Sequence, residues 1–498
     1  MTGALMIAGT TSDAGKSVVT TALARAFARR GVDVAPFKAQ NMSNNSMVCR
    51  DPVTGATAEI GRAQWTQARA ARVGPTPAMN PVLLKPGGDR RSHVVVRGRP
   101  AGAVDSRDWL EGRRHLATAA YEAWDELTSR HDVVLAEGAG SPTEINLRAG
   151  DYTNLGLARH GSVPVVVVGD IDRGGVFAAL YGTVGLLEPA DQALVAGFVV
   201  NKFRGDPVLL GPGLDELARL TGRPTYGVLP WSGEVWLDSE DALDLGAAPV
   251  AAGAGVKVAV VRLPRVSNFT DVDALALEPG VEVTWVSRPR DLADADLVVL
   301  PGTRATVADL AWLRERGLDV AVRAHAAAGR PVLGICGGFQ MLGRRVADPD
   351  GVEGAVPAVE GLGLLDVTTT FTADKVLRLP SGSALGADVT GYEIHHGRVT
   401  RGSGQEWLGG ARSGHVAGTL WHGSLESDGF RSAYLADVAQ AVGATWEPSG
   451  ASFAAARERR FELLADLAEE HLDVDALLAL ARAGAPAGLR VLEPGAGR

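Results

Sequence analysis

The first half of the chain alternates short, uninterrupted apolar runs with longer segments whose apolar residues recur at helical spacing. These runs are rich in valine and alanine. Strands of this kind are buried on both faces, which is typical of a parallel sheet covered by helices. The pattern therefore predicts an α/β domain built on a doubly wound parallel sheet, with strands at residues 4–8, 32–37, 133–136, 163–168 and 195–200.

A second series of apolar runs follows residues 245–255, an uncharged stretch of Ala, Gly and Pro that is typical of a linker. Its predicted strands cover residues 256–261, 281–286, 297–300 and 331–335.

The chain is thus predicted to hold two tandem α/β domains, residues 1–244 and 256–450, joined by that linker. From residue 451 apolar and charged residues alternate at helical spacing. Residues 451–498 are therefore a helical region, which is either a docking arm or an exterior helix.

Composition excludes several classes of protein. The 498 residues include 49 basic and 58 acidic side chains, a net charge of −9, so we expect neither a nucleic-acid nor a membrane partner. Two cysteines and no basic leader or long apolar run predict a cytoplasmic protein. Homo-oligomerisation stays open. Lysine is scarce, so the presence of each lysine calls for an explanation. The six lysines are residues 16, 38, 85, 202, 257 and 375.

Residues 9–17, GTTSDAGKS, join the first predicted strand to an amphipathic helix. Glycines let backbone N–H groups face an anion, Lys16 reaches the outer phosphates, and Ser17 holds Mg²⁺. A glycine turn with a solvated lysine is the alternative. We predict an ATP site formed by Thr11, Asp13, Ala14, Gly15, Lys16 and Ser17.

Other polar residues follow neighbouring strands, and the ends of parallel strands meet at one sheet edge. Lys38 is placed to neutralise a transferring phosphoryl group. Glu137 is placed to bind Mg²⁺, although a solvated carboxylate is the alternative. Asn201 is placed to contact adenine, although a capped loop is the alternative.

These segments resemble the cobyric acid synthase family, the glutamine-dependent corrinoid amidases of cobalamin biosynthesis. The resemblance rests on FKAQNMSNNS, EIGRAQ, LLKPGGDRRSHVVVRG, AEGAGSPTEINL, GDIDRGGVFA and NKFRGD. The phosphate loop, with five residues between its glycines, is similar to that of the dethiobiotin synthetase fold. In that wider family the matching residues serve ATP and Mg²⁺, which here implicates Lys16, Ser17, Lys38 and Glu137.

Residues 331–343, PVLGICGGFQMLG, place Cys336 on a tight turn between a strand and a helix. A nucleophile on such an elbow is exposed, and the helix N-terminus favours the thiolate and offers N–H groups to an oxyanion. A buried structural thiol is the alternative. A thiol nucleophile needs a base, and the candidates are His395 and His396, predicted to end a strand, and His422, predicted in a loop after one.

GICGGFQ, together with LPGTR at 300–304, resembles a class I glutamine amidotransferase domain of flavodoxin-like fold. The resemblance implies that Cys336 is the nucleophile and His422 the base. It further implies that Gln340 contacts glutamine and that backbone N–H groups near Gly302 and Gly337 form the oxyanion hole.

The third member of the triad departs from the family pattern. The usual order is histidine, proline, glutamate, whereas Gly423 and Ser424 follow His422 here. The nearest carboxylate is Glu426, and we leave open whether it orients the histidine.

An ATP site and a glutaminase in one chain imply an amide ligase, because ammonia attacks a carboxylate only after activation as an acyl phosphate. The resemblance implies amidation of the b, d, e and g carboxylates of adenosylcobyrinic acid a,c-diamide to cobyric acid, with the corrinoid bound as a substrate. Two alternatives are cobyrinic acid a,c-diamide synthase and a P-loop switch ATPase with a glutamine-sensing domain. The strings FKAQNMSNN and EGAGSPTEINL disfavour the first, and the Cys336 elbow with His422 disfavours the second.

Overall fold

The protein is described by a computed structural model that covers residues 2–87, 91–105, 114–233, 255–354 and 356–493. The predicted linker, residues 245–255, lies outside the described residues except for Gly255. Within these ranges, no helix combines the length and apolar character that crossing a membrane requires.

Twelve strands occupy the described part of residues 2–233: β1 (Gly3–Gly9), β2 (Val34–Phe37), β3 (Gln40–Met42), β4 (Ser46–Arg50), β5 (Thr57–Gly61), β6 (Val82–Pro86), β7 (Arg91–Val96), β8 (Arg99–Asp105), β9 (Val133–Glu137), β10 (Val165–Asp170), β11 (Val195–Phe203) and β12 (Thr225–Pro230). The helices of this part are α1 (Lys16–Arg29), α2 (Arg62–Ala70), α3 (Arg114–Thr128), α4 (Leu155–Gly161), α5 (Val176–Gly185), α6 (Pro189–Gln192) and α7 (Gly211–Thr221).

Six of these strands form a wholly parallel sheet in the order β12-β11-β10-β1-β9-β2. Both faces of the sheet are buried, as the continuous apolar runs predict. The doubly wound parallel sheet is therefore confirmed. The carboxyl ends of β1, β2 and β9 are adjacent, so this edge gathers the residues that follow them.

Strand boundaries differ from the predicted ones where polar residues continue the ladder. The strand predicted at 195–200 extends to Phe203, and Asn201 pairs in register with Asp170 of β10. Asn201 therefore lies inside β11 and not after it, because backbone pairing does not require an apolar side chain. The strand predicted from residue 32 begins at Val34.

The second part has strands β13 (Val256–Val261), β14 (Val281–Val286), β15 (Leu297–Leu300), β16 (Val332–Ile335), β17 (Arg345–Ala347), β18 (Ala358–Glu360), β19 (Val367–Arg378), β20 (Ser381–Ala384), β21 (Ala387–Thr390), β22 (Glu393–Arg401), β23 (Gln405–Trp407), β24 (Gly410–Ser413) and β25 (Val416–Thr419). Its helices, continuing to the C-terminal region, are α8 (Asp273–Ala276), α9 (Thr306–Glu315), α10 (Leu318–Ala327), α11 (Gly337–Leu342), α12 (Asp428–Val442), α13 (Phe453–His471) and α14 (Val474–Ala483).

The main sheet of this part runs in the order β14-β13-β15-β16-β25-β24-β23, and its first five strands are parallel. The fold is α/β, as predicted. One prediction is wrong: His395 and His396 do not end a strand. They lie near the start of β22, which continues to Arg401 because it pairs with the long strand β19.

The C-terminal helices return to the first part of the chain. Leu464 of α13 and Leu477 of α14 are buried in the same apolar cluster as Leu23 of α1. Arg25 of α1 is buried beneath α13 and donates to Glu458 at 2.8 Å. The described portion of residues 451–498 therefore packs on the first part of the chain, and its role stays a prediction.

Candidate active sites

The phosphate loop is supported from outside by β11. Gly15 has φ of +100°, and a Cβ there would lie 1.9 Å from Asn201 Nδ2, so only glycine fits. Asn201 Nδ2 donates to the Ala14 carbonyl at 3.0 Å. Lys202 Nζ donates to the Asp13 carbonyl at 2.8 Å. Asn201 thus holds the loop in shape, and its contact with adenine stays a prediction.

Lys16 begins α1, and its side chain folds back over the loop. Its Nζ donates to the carbonyls of Thr11 at 2.9 Å, Ser12 at 3.1 Å and Gly140 at 3.0 Å. A cation surrounded by carbonyl oxygens is suited to exchange them for phosphate oxygens, which bear more negative charge.

Glu137, at the end of β9, is the buried centre of this site. Its Oε1 accepts from Ser17 Oγ at 2.9 Å and from Lys38 Nζ at 2.9 Å, and its Oε2 accepts from Gln67. Burial raises the pKa of Glu137, but the nearby charges of Lys38 and Lys16 outweigh it and hold the pKa below its usual value. The carboxylate therefore stays ionised.

The same residues suit a magnesium ion. Mg²⁺ takes oxygen ligands and is often held by one or two protein groups together with phosphates and water. Ser17 Oγ and Glu137 Oε1 are neighbouring oxygen atoms beside the phosphate loop. Among the described residues no cluster of three or more His, Cys, Asp or Glu could hold a metal ion.

A cleft of about 430 Å³ opens over this site. Lys16 and Lys38 supply positive charge to it, and Gln40 and Asn41 supply amides. The opposite wall is the loop of residues 139–154, where Asn154 Oδ1 accepts from the Ala139 N–H at 3.1 Å. Arg148, Glu144 and Asp151 also line the cleft. Its cations suit the phosphates of ATP together with a second anionic group.

Cys336 occupies a strained elbow between β16 and α11, with φ of 50° and ψ of −107°. The turn is tight because small residues surround it. A Cβ at Gly338 would lie 1.9 Å from the Leu300 carbonyl oxygen, and one at Gly337 would lie 2.6 Å from Thr303 Cγ2. The backbone geometry matches the predicted nucleophile elbow, but the Cys336 side chain is buried, at 6% exposure, and not exposed as predicted, because the pocket closes over it.

His422, three residues after β25, reaches the Cys336 side chain. Its Nδ1 lies 2.6 Å from Asp271 Oδ2, and the Gly423 N–H donates to Asp271 Oδ1 at 2.8 Å. Burial lowers the pKa of His422, but hydrogen bonding and charge attraction to Asp271 and Cys336 raise it to about 10. This favours the imidazolium form of His422 beside the Cys336 sulfur.

The orienting carboxylate is therefore Asp271 and not Glu426. Glu426 Oε1 lies 3.3 Å from Arg62 Nη2, and its Oε2 lies 2.9 Å from Arg457 Nη2. Asp271 was missed by sequence reasoning, because it precedes His422 by 151 positions. The available signal was an acidic residue in the segment that follows β13.

The other base candidates are directed elsewhere. His395 Nδ1 lies 2.8 Å from the Gly397 carbonyl oxygen, and His396 Nδ1 lies 3.1 Å from the Thr372 carbonyl oxygen. Burial lowers the pKa of each to about 4, so both are neutral near pH 7. They line the pocket around Cys336, but within the described ranges neither has a carboxylate partner of the kind that orients His422.

The remaining predicted residues of this pocket lie beside Cys336. Gln340, on α11, is buried, and its Oε1 accepts from Thr306 Oγ1 at 3.1 Å. Its Nε2 is buried and has no hydrogen-bond partner among the described residues, as expected of a group that awaits a ligand. A Cβ at Gly302 would lie 2.9 Å from His422 Cε1, so the backbone at Gly302 lies beside His422. The oxyanion hole near Gly302 and Gly337 stays a prediction.

The first part of the chain supports the segment that carries Asp271. Asn268 has a left-handed backbone, with φ of 51°. Its N–H donates to Asn45 Oδ1 at 2.7 Å, and its own Oδ1 accepts from the Ser46 N–H at 2.9 Å. All three side chains are buried. The glutaminase pocket is therefore built against the first part of the chain.

Comparison with known proteins agrees with this arrangement. Residues 5–244 match the family described as CobQ/CobB/MinD/ParA nucleotide binding domain, and residues 257–433 match the CobB/CobQ-like glutamine amidotransferase domain. The chain is 71% identical over 497 residues to the cobyric acid synthase of Mycolicibacterium gilvum, with 100% of each chain covered. It is 66% identical over 493 residues to that of Mycobacterium ulcerans, with 99% of each covered. The chain therefore belongs to the cobyric acid synthase family.

Proposed function

We propose that this protein converts adenosylcobyrinic acid a,c-diamide to cobyric acid by amidating the b, d, e and g carboxylates. At a coarser level it is a glutamine-hydrolysing carbon–nitrogen ligase of cobalamin biosynthesis that uses ATP, as its membership of the family shows. The single observation that carries the chemistry is a line of buried groups from Cys336 through His422 to Asp271, in a chain that also holds a phosphate loop.

In the glutaminase half, Cys336 Sγ attacks the side-chain amide carbon of glutamine. His422 gives a proton to the departing nitrogen, and ammonia leaves. Water then hydrolyses the γ-glutamyl thioester to glutamate and restores the thiol. Asp271 holds the imidazole in its tautomer, and backbone N–H groups near Gly302 and Gly337 bind the oxyanion.

In the synthetase half, a corrinoid carboxylate attacks the γ-phosphorus of ATP and forms an acyl phosphate and ADP. Lys16 binds the outer phosphates, and Lys38 neutralises negative charge on the phosphoryl group as it is transferred. Ammonia attacks the acyl carbon and inorganic phosphate leaves. Mg²⁺, when bound at Ser17 and Glu137, shields the negative charge of the phosphates.

The proposal includes the setting of the reaction. ATP, glutamine and the corrinoid are small-molecule substrates, and we expect the enzyme to work in the cytoplasm without nucleic-acid or membrane partners. A homo-oligomer is compatible with this chemistry. Both alternative functions are disfavoured: the full-length relatives are named cobyric acid synthase, and the intact triad argues against a domain that only senses glutamine.

The test separates the two nitrogen sources. Cys336→Ala should lose glutamine-dependent product and keep ATP-dependent amidation from ammonium salt, with more product above neutral pH because only unprotonated ammonia is a nucleophile. Cys49→Ala is the matched control, since that thiol is buried in the first core and burial raises its pKa to about 12. Mass spectrometry of the corrinoid counts the amides formed. Equal loss with both nitrogen sources would contradict the two-site assignment.

A further inference from the structure

The glutaminase pocket is lined by an unusual group of cations. Lys85, Arg304 and Lys375 line the same pocket as Cys336 and Gln340. Lys85 interacts electrostatically with each of the other two. Lys85 belongs to β6 in the first part of the chain, whereas Arg304 and Lys375 belong to the second. A pocket for the uncharged amide of glutamine does not itself require this charge.

Two carboxylates accompany the three cations. Glu59 is fully buried; its Oε1 accepts from Lys85 Nζ at 2.7 Å, and its Oε2 accepts from Lys375 Nζ. Glu353 lines the pocket, and its Oε2 accepts from the Val307 N–H at 3.1 Å. Even with both carboxylates ionised, positive charge is in excess. Buried charge in excess is costly, so it points to an anionic ligand.

Lys85 has the geometry to serve that ligand. An ammonium group has three N–H donors. Among the described residues, Lys85 Nζ donates to Glu59 Oε1 and to Ser46 Oγ, the latter at 2.8 Å. These contacts fix the position of Nζ and account for two donors, which leaves one for a ligand in the pocket that Lys85 lines.

We propose that Lys85 and Arg304 bind the α-carboxylate of glutamine, so that the synthetase part of the chain supplies a specificity-determining residue to the glutaminase site. This proposal rests on the glutaminase activity proposed above. The amide end of glutamine lies at Cys336, and its only anionic group then faces the cations of the pocket. Lys375, which shares Glu59 with Lys85, holds the two parts of the chain together at this point.

The test compares L-glutamine with its α-amide, in which a neutral carboxamide replaces the α-carboxylate. In Lys85→Met, kcat/KM for glutamine should fall roughly 10- to 100-fold, mainly through KM, because charge-assisted hydrogen bonds are lost. Hydrolysis of the α-amide substrate should change by less than about threefold, because it makes no such bond. Lys85→Arg should restore much of the preference for glutamine. Arg304→Gln should show the same selective loss.

The control is Lys257→Met, which removes an exposed lysine of β13 and should leave both substrates unaffected. Equal losses for glutamine and its α-amide in both Lys85→Met and Arg304→Gln would overturn the proposal in favour of a purely structural cluster. Unchanged kinetics in both variants would also overturn it. Absence of glutaminase activity in the unaltered protein would instead contradict the proposed function, and amidation from ammonium salt measures the synthetase separately.

Discussion

Replacing Asp271 with asparagine tests the triad most directly. The substitution keeps the size of the side chain but removes the charge that lies 2.6 Å from His422 Nδ1. Both groups are buried, so water does not replace the lost interaction. A hydrogen bond to a charged group contributes about 1.5–3 kcal/mol, and about 1.4 kcal/mol is a factor of ten in rate. The glutaminase kcat should therefore fall roughly 10- to 150-fold.

The pH dependence should change as well. In the unaltered protein the pKa of His422 is raised to about 10, so the imidazolium persists well above neutral pH. Loss of the Asp271 charge lowers that pKa, and the imidazolium then loses its proton at lower pH. The alkaline limb of the glutaminase profile should move to lower pH. Steady-state release of glutamate from pH 6 to pH 10 measures both effects.

The control for Asp271→Asn is Glu426→Gln, because Glu426 is the carboxylate nearest to His422 in the sequence. Amidation from ammonium salt should be preserved in both variants, which shows that the chain is folded. The reasoning would be refuted if Glu426→Gln lost glutaminase activity while Asp271→Asn retained it with an unshifted pH profile.

Two further predictions concern the phosphate site, and a third concerns the C-terminal helices that pack on α1. Lys16→Ala should lower the rate of amidation from either nitrogen source by about 10³-fold, because a phosphate-binding cation is lost, while glutaminase activity partly survives. Near-normal product formation would contradict this. Lys38→Gln should lower kcat more than it raises the KM for ATP, because the lysine charge acts on the phosphoryl group as it is transferred. Initial rates over a range of ATP concentrations test this, and an unchanged kcat would show that Lys38 takes no part in the reaction. Leu477→Ala should lower the free energy of unfolding by about 2–5 kcal/mol, as expected for a core leucine, and weaken ATP binding. If the free energy of unfolding, measured by urea denaturation, hardly changed, α14 would not be part of the core.

Several features followed from the sequence because local residues specify them. Uninterrupted apolar runs bury both faces of a strand, which predicted the parallel sheets. The Lys16 loop and the Cys336 elbow each depend on glycines within a few residues of the functional side chain. The local sequence of each motif therefore specifies its backbone conformation. The scarcity of lysine also helped to predict functional residues. Lys16 and Lys38 line the cleft at the phosphate loop, and Lys85 lines the pocket around Cys336.

Only the tertiary structure decided which distant groups meet. Asp271, and not Glu426, orients His422 because the segment after β13 packs against this histidine. The contact spans 151 positions, and no local pattern specifies it. Lys85 enters the glutaminase pocket from the other part of the chain for the same reason. The C-terminal helices dock on α1 because Leu464 and Leu477 find an apolar surface there. Periodicity predicts that a face will be buried, but the complementary surface that buries it exists only once the chain has folded.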